Sequence, residues 1–465
     1  LSSLSGNSAI SLALRPAAVQ RKHAQAKMHH WPNCCFLSRI YPAKSMAMKM
    51  TAASASSKLG ERELVTLMAL LMSLQAFGID SMLPALGVMA EELGAAGNDR
   101  QYVISSYFLG AGLGAFFPGA FADKFGRRPV LFVGLASYIL LSLACAIVTD
   151  FWWLIGLRLI QGISCAGLSV VPAAIVRDHV GGDRMARLMS LIMMVFLVVP
   201  IVSPAIGQLI LMVADWRVIF VAMAVMGLGV GLWVWLRLPE TLTEANEQDI
   251  KPITILRNMK EALAKRESVG YVIGSALVFG SLFGFLNSSQ QLIAESFGAG
   301  DYFALIFGAS IIGMVLANFL NSRIVEKYGA RRVGHAALIG FLLVSLVQLW
   351  SARSGEQTLW EFVPLLSMSM ACLGFVGANF SSVAMQPFQH IAGAASSIQT
   401  SIRMTTGAVM GALIGQAYDG TAGPLATAMV ICSCLGLACI LYSERGKLFR
   451  APGEARRYMQ MHKNY

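Results

Sequence analysis

The sequence predicts an all-α membrane protein of twelve transmembrane helices arranged as two six-helix pseudo-repeats. Three observations carry that prediction. Apolar runs of bilayer length recur along the chain, basic residues gather on alternate loops, and one loop pattern occurs twice at matching positions. Composition points the same way: 56% of the 465 residues are hydrophobic and 13% are charged, whereas a soluble domain carries roughly 25% charged residues. A bilayer, rather than water, is the solvent such a chain requires.

A spanning helix needs about 20 mainly apolar residues. Runs that qualify are 64–86, 102–122, 130–149, 151–176, 187–213 and 217–237, then 269–291, 302–324, 333–351, 361–386, 394–417 and 424–443. Starting the first of these at the cytoplasmic face puts 23 Lys or Arg on that side, counted from residue 59. The opposite loops hold Arg100, Arg217 and Arg353, and two more, Arg158 and Arg403, fall inside spans. That bias orients both termini toward the cytoplasm.

The net charge of +11 is mostly a property of the first 58 residues, which hold eight Lys or Arg and no Asp or Glu. The remainder is nearly neutral, so the charge does not point to nucleic acid. Residues 1–57 have neither the long apolar core nor the cleavage site of a signal peptide. They are expected to be a disordered or artefactual leader, with Met46, Met48 and Met50 as candidate starts. Residues 58–237 and 269–445 then form the two halves, joined by a cytoplasmic linker at 238–268 and followed by a cytoplasmic tail at 446–465. The linker's basic second half is expected to lie along the membrane surface.

The repeat appears in two loops, "FADKFGRRPV" from Phe121 and "IVEKYGARRV" from Ile324. Asp123 aligns with Glu326, Gly126 with Gly329 and Arg128 with Arg331, while Ala330 stands opposite Arg127. Two six-helix halves related in this way are a recurring transporter plan. Cysteines in helical runs read as small buried hydrophobes, and no spacing suited to a metal is present. The phosphate-loop pattern G-x-x-x-x-G-K-[ST] is also missing. Neither a cofactor, a metal nor an enzymatic activity is expected, and an ion gradient or the substrate's own gradient is left as the energy source.

Three stretches carry a family resemblance. "GAFADKFGRRP", Gly119 to Pro129, resembles the loop motif of the major facilitator superfamily. "RLIQGISCAG" from Arg158 resembles the fourth-helix R-x-x-Q-G of proton-coupled members. "DSMLP", Asp80 to Pro84, resembles the first-helix D-x-x-x-P of drug–proton antiporters, and together they look like the Bcr/CflA type. Of the fifth-helix exporter pattern only Pro204 and Gly207 remain in "VPIVSPAIGQ"; Val199, Ser203 and Gln208 replace glycines. Pro204 and Gly207 are the expected helix-bending positions.

An ionised carboxylate inside a span is costly and usually functional. Asp80 lies 16 residues past Leu64, about 24 Å along a helix, and Arg158 lies about 10 Å below the outer surface on the fourth helix. The two are therefore at similar depth and are expected to pair directly or through water as a proton-coupling site. A pair that only fixes helix packing is the plainer alternative. In the resemblance, helices one, four, seven and ten line a central cavity, which assigns Gln75, Gln161, Asn287, Gln290 and Asn379 to substrate contact. Arg403, with no acidic partner evident in sequence, either lines the inner cavity or snorkels. Gly119, Asp123, Gly126, Arg127, Arg128, Glu326 and Arg331 resemble a conformational latch. Asp123 is expected to accept from Arg128 or to cap a helix, and Arg127 to matter less.

The resemblance implies a monomeric exporter in a bacterial inner membrane that passes drugs outward in exchange for protons. A carrier of one polar metabolite, such as an amino acid or a sugar, is the alternative.

Overall fold

A computed structural model describes residues 59–449 apart from 181, 243–256, 258–259, 262 and 356. The expected leader, most of the linker and most of the tail lie outside the described residues. Among the described residues the structure is helical throughout, with no strand.

Among the described residues, fourteen α-helices build the bundle. They are α1 (Glu61–Asp80), α2 (Leu86–Glu92), α3 (Tyr102–Gly114), α4 (Pro118–Phe125), α5 (Arg127–Ile147), α6 (Phe151–His179), α7 (Gly182–Val213) and α8 (Arg217–Arg237). After the linker come α9 (Arg266–Gln290), α10 (Phe303–Tyr328), α11 (Ala330–Arg353), α12 (Leu359–Met385), α13 (Ala392–Gln416) and α14 (Gly423–Ser443). The first two form one pass and α3 with α4 another, bent by 47°. Every span expected from the sequence is thus helical. Ten passes are long and apolar enough to cross a membrane alone, and the bent pair makes eleven. The twelfth, α13, is 25 residues long but diluted by Ser, Thr, Gln and Arg403.

The two halves repeat one packing scheme. In the first, α1 packs on α7, α6 and α8, while α5 packs on α6 and α8, and α3 on α6. In the second, α9 packs on α13, α12 and α14, while α11 packs on α12 and α14, and α10 on α12. The equivalent pairs even share a device. Gly110 and Gly162 let α3 and α6 touch backbone to backbone, where a Cβ on either would fall 2.1 Å from a carbonyl oxygen. Gly313 does the same for α10 against the Ser367 carbonyl of α12, again at 2.1 Å. Lipid offers no hydrophobic drive between helices, so such close contact of small residues supplies the packing energy. Large apolar side chains point the other way: Val133, Leu140 and Ile147, one heptad apart on α5, are all exposed. Between halves, α3 packs on α13 and α7 on α10.

Candidate functional site

Asp80 is the last residue of α1, and the reason lies four residues on. Pro84 has no N–H to return to the Asp80 carbonyl, and its ring crowds that carbonyl. The helix therefore stops, turns through Ser81 and Met82, and restarts as a short 3₁₀ turn at Leu83–Ala85. The freed backbone lies against α7, where Gly207 admits the Ser81 carbonyl so closely that a Cβ would sit 1.8 Å from it. The contribution of Gly207 visible here is this contact. Asp80 itself is 5% exposed and lies beside Ser203 of α7, whose hydroxyl donates to the Val199 carbonyl at 2.8 Å. Ser203 thus replaces a glycine of the exporter pattern at a residue beside the carboxyl.

Arg158 does reach α1, as its depth required, but not at Asp80. It is fully buried and donates to the Gly78 carbonyl at 2.8 Å, the Val103 carbonyl at 3.4 Å and Gln161 Oε1 at 2.6 Å. Its guanidinium also lies 4.4 Å from the centroid of the Tyr107 ring. Among the described residues no ion pair joins it to Asp80, which corrects the expected direct pairing. Two residues along a helix turn the side chain by about 200°, so Arg158 meets the Gly78 face while Asp80 faces α7. Gln161, three residues after Arg158 and on its face, is fully buried and passes the network on to Ser142 at 2.8 Å. Carbonyl dipoles and an aromatic face, rather than a carboxylate, compensate this cation.

The other amides expected in a cavity mostly hold the two halves together. Asn287 Oδ1 accepts from Ser105 at 2.7 Å, and Gln290 Oε1 accepts from Arg100 at 2.9 Å. Arg100 also pairs with Glu295 at 2.6 Å. Asn98 donates to the Gln416 and Tyr418 carbonyls, and Gln101 to Gln291. Burial raises the Tyr418 phenol above its ordinary range, keeping it a donor to the Gln291 carbonyl at 3.2 Å. Gln208, another residue where the exporter pattern has glycine, clasps the start of α10. It donates to the Gly300 and Asp301 carbonyls and accepts from the Ala304 amide at 2.9 Å. Except for the Tyr418–Gln291 bond, which lies within the second half, these contacts cross between halves at the end expected to face outward, so the two halves are held together there. One layer further in, Phe108 and Phe283 meet edge to face at 4.3 Å. Of the remaining candidates, Asn379 is buried against Asn321 within the second half at 2.7 Å. Gln75 and Arg403 are half-buried, and the Arg403 guanidinium lies over Phe279.

The loop motif is rearranged relative to expectation. Asp123 pairs with Arg127 at 2.6 Å, not with Arg128, and buried Arg127 also holds Asp178 of α6 at 3.0 Å. Arg127 is the centre of the cluster because the Gly126 turn between α4 and α5 brings it back beside Asp123 while its other side meets α6. Arg128 instead donates to the Trp235 carbonyl at 2.7 Å. Glu240, just beyond α8, accepts from the Arg127 and Arg128 amides at 2.9 and 3.0 Å. It thereby caps the start of α5, where a carboxylate meets unsatisfied N–H groups. Gly126 makes the turn at φ 101°, with Glu240 where a Cβ would lie. Gly119 has open space around it, with its nearest neighbour at 3.9 Å.

In the second copy Ala330 replaces the central arginine, and among the described residues Glu326 has no ion-pair partner. Arg331 pairs with Glu444 at the end of α14 at 2.9 Å, and Glu444 also accepts from Tyr271. Asp178, Glu240 and Glu444 escaped sequence reasoning. The signal for Glu240 was the need to cap α5.

The family model for the Major Facilitator Superfamily matches residues 67–412. A "Bicyclomycin resistance protein homolog" of Haemophilus influenzae is 29% identical over 364 residues, 78% of this chain and 91% of that one. "Multidrug resistance protein MdtL" of Klebsiella pneumoniae is 31% identical over 326 residues, 69% of this chain and 80% of its own. The crystal structure of the human organic anion transporter MFSD10 superposes with a TM-score of 0.56 at 19% identity. It covers 83% of this chain and all of that one, a likeness of fold. The chain is a multi-pass membrane protein that belongs to the major facilitator superfamily, beside the Bcr/CflA-type resistance proteins that its first- and fourth-helix motifs resemble.

Proposed function

We propose that the chain exports drugs or other small amphipathic molecules in exchange for protons by alternating access. We place it as a monomer in a bacterial inner membrane with both termini cytoplasmic. The observation that carries this reading is Asp80, a buried carboxyl at a helix break in the α1–α7 contact. Protonation removes the cost of holding a charge there, and a bound cationic group lowers the cost of the ionised form. Proton and substrate therefore compete, which is the condition for exchange. The break leaves α1 and α7 joined by one close backbone contact, so a change of charge at Asp80 acts where the two helices are held.

Arg158, Gln161 and Tyr107 position α1 from the opposite face. The amide seal at the outer end and the Arg127 cluster at the inner end are the elements that alternate. Only a difference in affinity between the two states drives such a switch.

The test is proton release on substrate binding, measured in detergent for the wild type and for Asp80→Asn. The wild type is expected to release protons and the variant none; equal release would remove Asp80 from the mechanism. Breadth of substrates decides between a drug exporter and a carrier of one metabolite.

A further inference from the structure

Arg403 sits near the middle of α13, at a depth where an arginine is expensive. Its guanidinium lies 5.3 Å from the centroid of the Phe279 ring on α9. That ring packs on Gly377 of α12, where a Cβ would come within 2.7 Å. The cation of α13 therefore rests on an α9 ring that α12 backs from behind, and part of the Arg403 surface stays open. The contrast with Arg158 is instructive. Arg158 is closed off and has a carbonyl or an amide for each of its nitrogens. Arg403 has neither a carboxylate nor a hydrogen-bond acceptor among the described residues. Five donors on an open fork are thus directed at something the chain does not provide.

The packing row explains why the group projects there. Along α9, Phe279, Phe283 and Asn287 recur every four residues. Opposite them on α13 stand Arg403, Gly407 and Gly411, and both glycines let the partner side chain press onto the backbone. The row ends at Arg403, where a long cation takes the place of a third glycine. Phe283, one turn away, already touches Phe108 of the first half. The guanidinium therefore lies one turn inside the aromatic contact between halves.

We infer that Arg403 receives the carboxylate, or an equivalent oxyanion, of a zwitterionic substrate whose ammonium end competes with the proton for Asp80. This rests on the proton-exchange reading above. A guanidinium matches a carboxylate with two parallel hydrogen bonds, which gives the acidic end of the substrate. The exchange mechanism requires the basic end. A substrate bearing only a negative charge repels ionised Asp80 and is held best when Asp80 is protonated, so it would travel with the proton rather than against it. Opposite charges on opposite halves, Asp80 on α1 and Arg403 on α13, select a molecule carrying both signs.

The test uses the full-length protein in detergent and three probes on one skeleton: an arylpiperazine carboxylic acid, its ethyl ester and its N-acetyl derivative. Wild type is expected to bind the acid at least tenfold more tightly than the ester. Arg403→Gln is expected to bring acid and ester within twofold by weakening the acid far more than the ester, and Arg403→Lys to keep part of the preference. Equal wild-type affinity for acid and ester overturns the proposal. So does an undiminished preference in Arg403→Gln, or a parallel loss of both probes. Should Arg403→Gln not be recovered folded, Arg403→Lys decides: a several-fold fall in preference supports the assignment and an unchanged one overturns it. Failure of proton exchange itself would show separately, as equal proton release from wild type and Asp80→Asn.

Discussion

Replacing Gly207 by alanine tests the contact that holds Asp80. A Cβ there would lie 1.8 Å from the Ser81 carbonyl oxygen and 2.8 Å from its carbon. Real Cβ contacts do not fall below 3.0 Å, so α1 and α7 must part by at least 1.2 Å, the difference between 3.0 and 1.8. Both clashing groups are backbone, which removes the inexpensive remedy of a side-chain rotation. Overpacking of this kind costs about 1–3 kcal/mol or more, and it falls on the residues flanking the carboxyl.

The control is Gly229→Ala on α8, where nothing lies within 4 Å of the new methyl group and alanine's helix propensity gains up to about 1 kcal/mol. Thermal melting in detergent and proton-driven transport in vesicles are the assays. Gly207→Ala is expected to melt several degrees lower and to transport poorly. Gly229→Ala is expected to match or exceed the wild type in melting and to equal it in transport. A Gly207→Ala protein with wild-type melting and transport would refute the argument that this contact sets the site.

Other outcomes follow from the same geometry. Arg127→Ala strands Asp178, of which only 13% of the side-chain surface is accessible. Breaking a buried pair costs about 3 kcal/mol, so this variant should melt lower than Arg128→Ala, whose half-buried guanidinium meets one carbonyl and no carboxylate. Equal melting of the two would reverse their ranking. Arg100→Ala removes one partly exposed ion pair, a contribution of about 1 kcal/mol, and with it a bond to Gln290. A cysteine placed at the outer end should then label several-fold faster, and unchanged labelling would exclude Arg100 from the seal. Arg158→Lys keeps the charge but not the three-way fork, and should lose most transport activity. Wild-type activity would show that charge alone suffices there.

Much of this was legible in the sequence, for definite reasons. Hydropathy locates spans because lipid tolerates no unpaired backbone. The weakest of these signals is α13, which packs on α3 and α9 and carries polar residues, so its hydropathy understates its place in the bundle. Depth along a helix was also legible, which is why Arg158 reaches α1. Direction around the helix was not, because a two-residue offset separates Gly78 from Asp80 by about 200°. The Asp123–Arg127 pairing was not legible, because it depends on the turn at Gly126, and the further partners Asp178, near the end of α6, and Glu240, beyond α8, are more than 50 residues away. The amides on α9 were legible as polar and buried, but only the fold shows that their partners belong to the opposite half.

The contacts between halves at the end expected to face outward consist mostly of neutral amides, with one ion pair among them. Salt screens interactions between charges over about 10 Å at 0.1 M, but it has little purchase on dipoles at contact distance. The closed form should therefore hold nearly as well at high salt as at low salt. Water itself is the competitor such a seal must resist, and the aromatic layer of Phe108 and Phe283 beneath it is where wetting would have to stop.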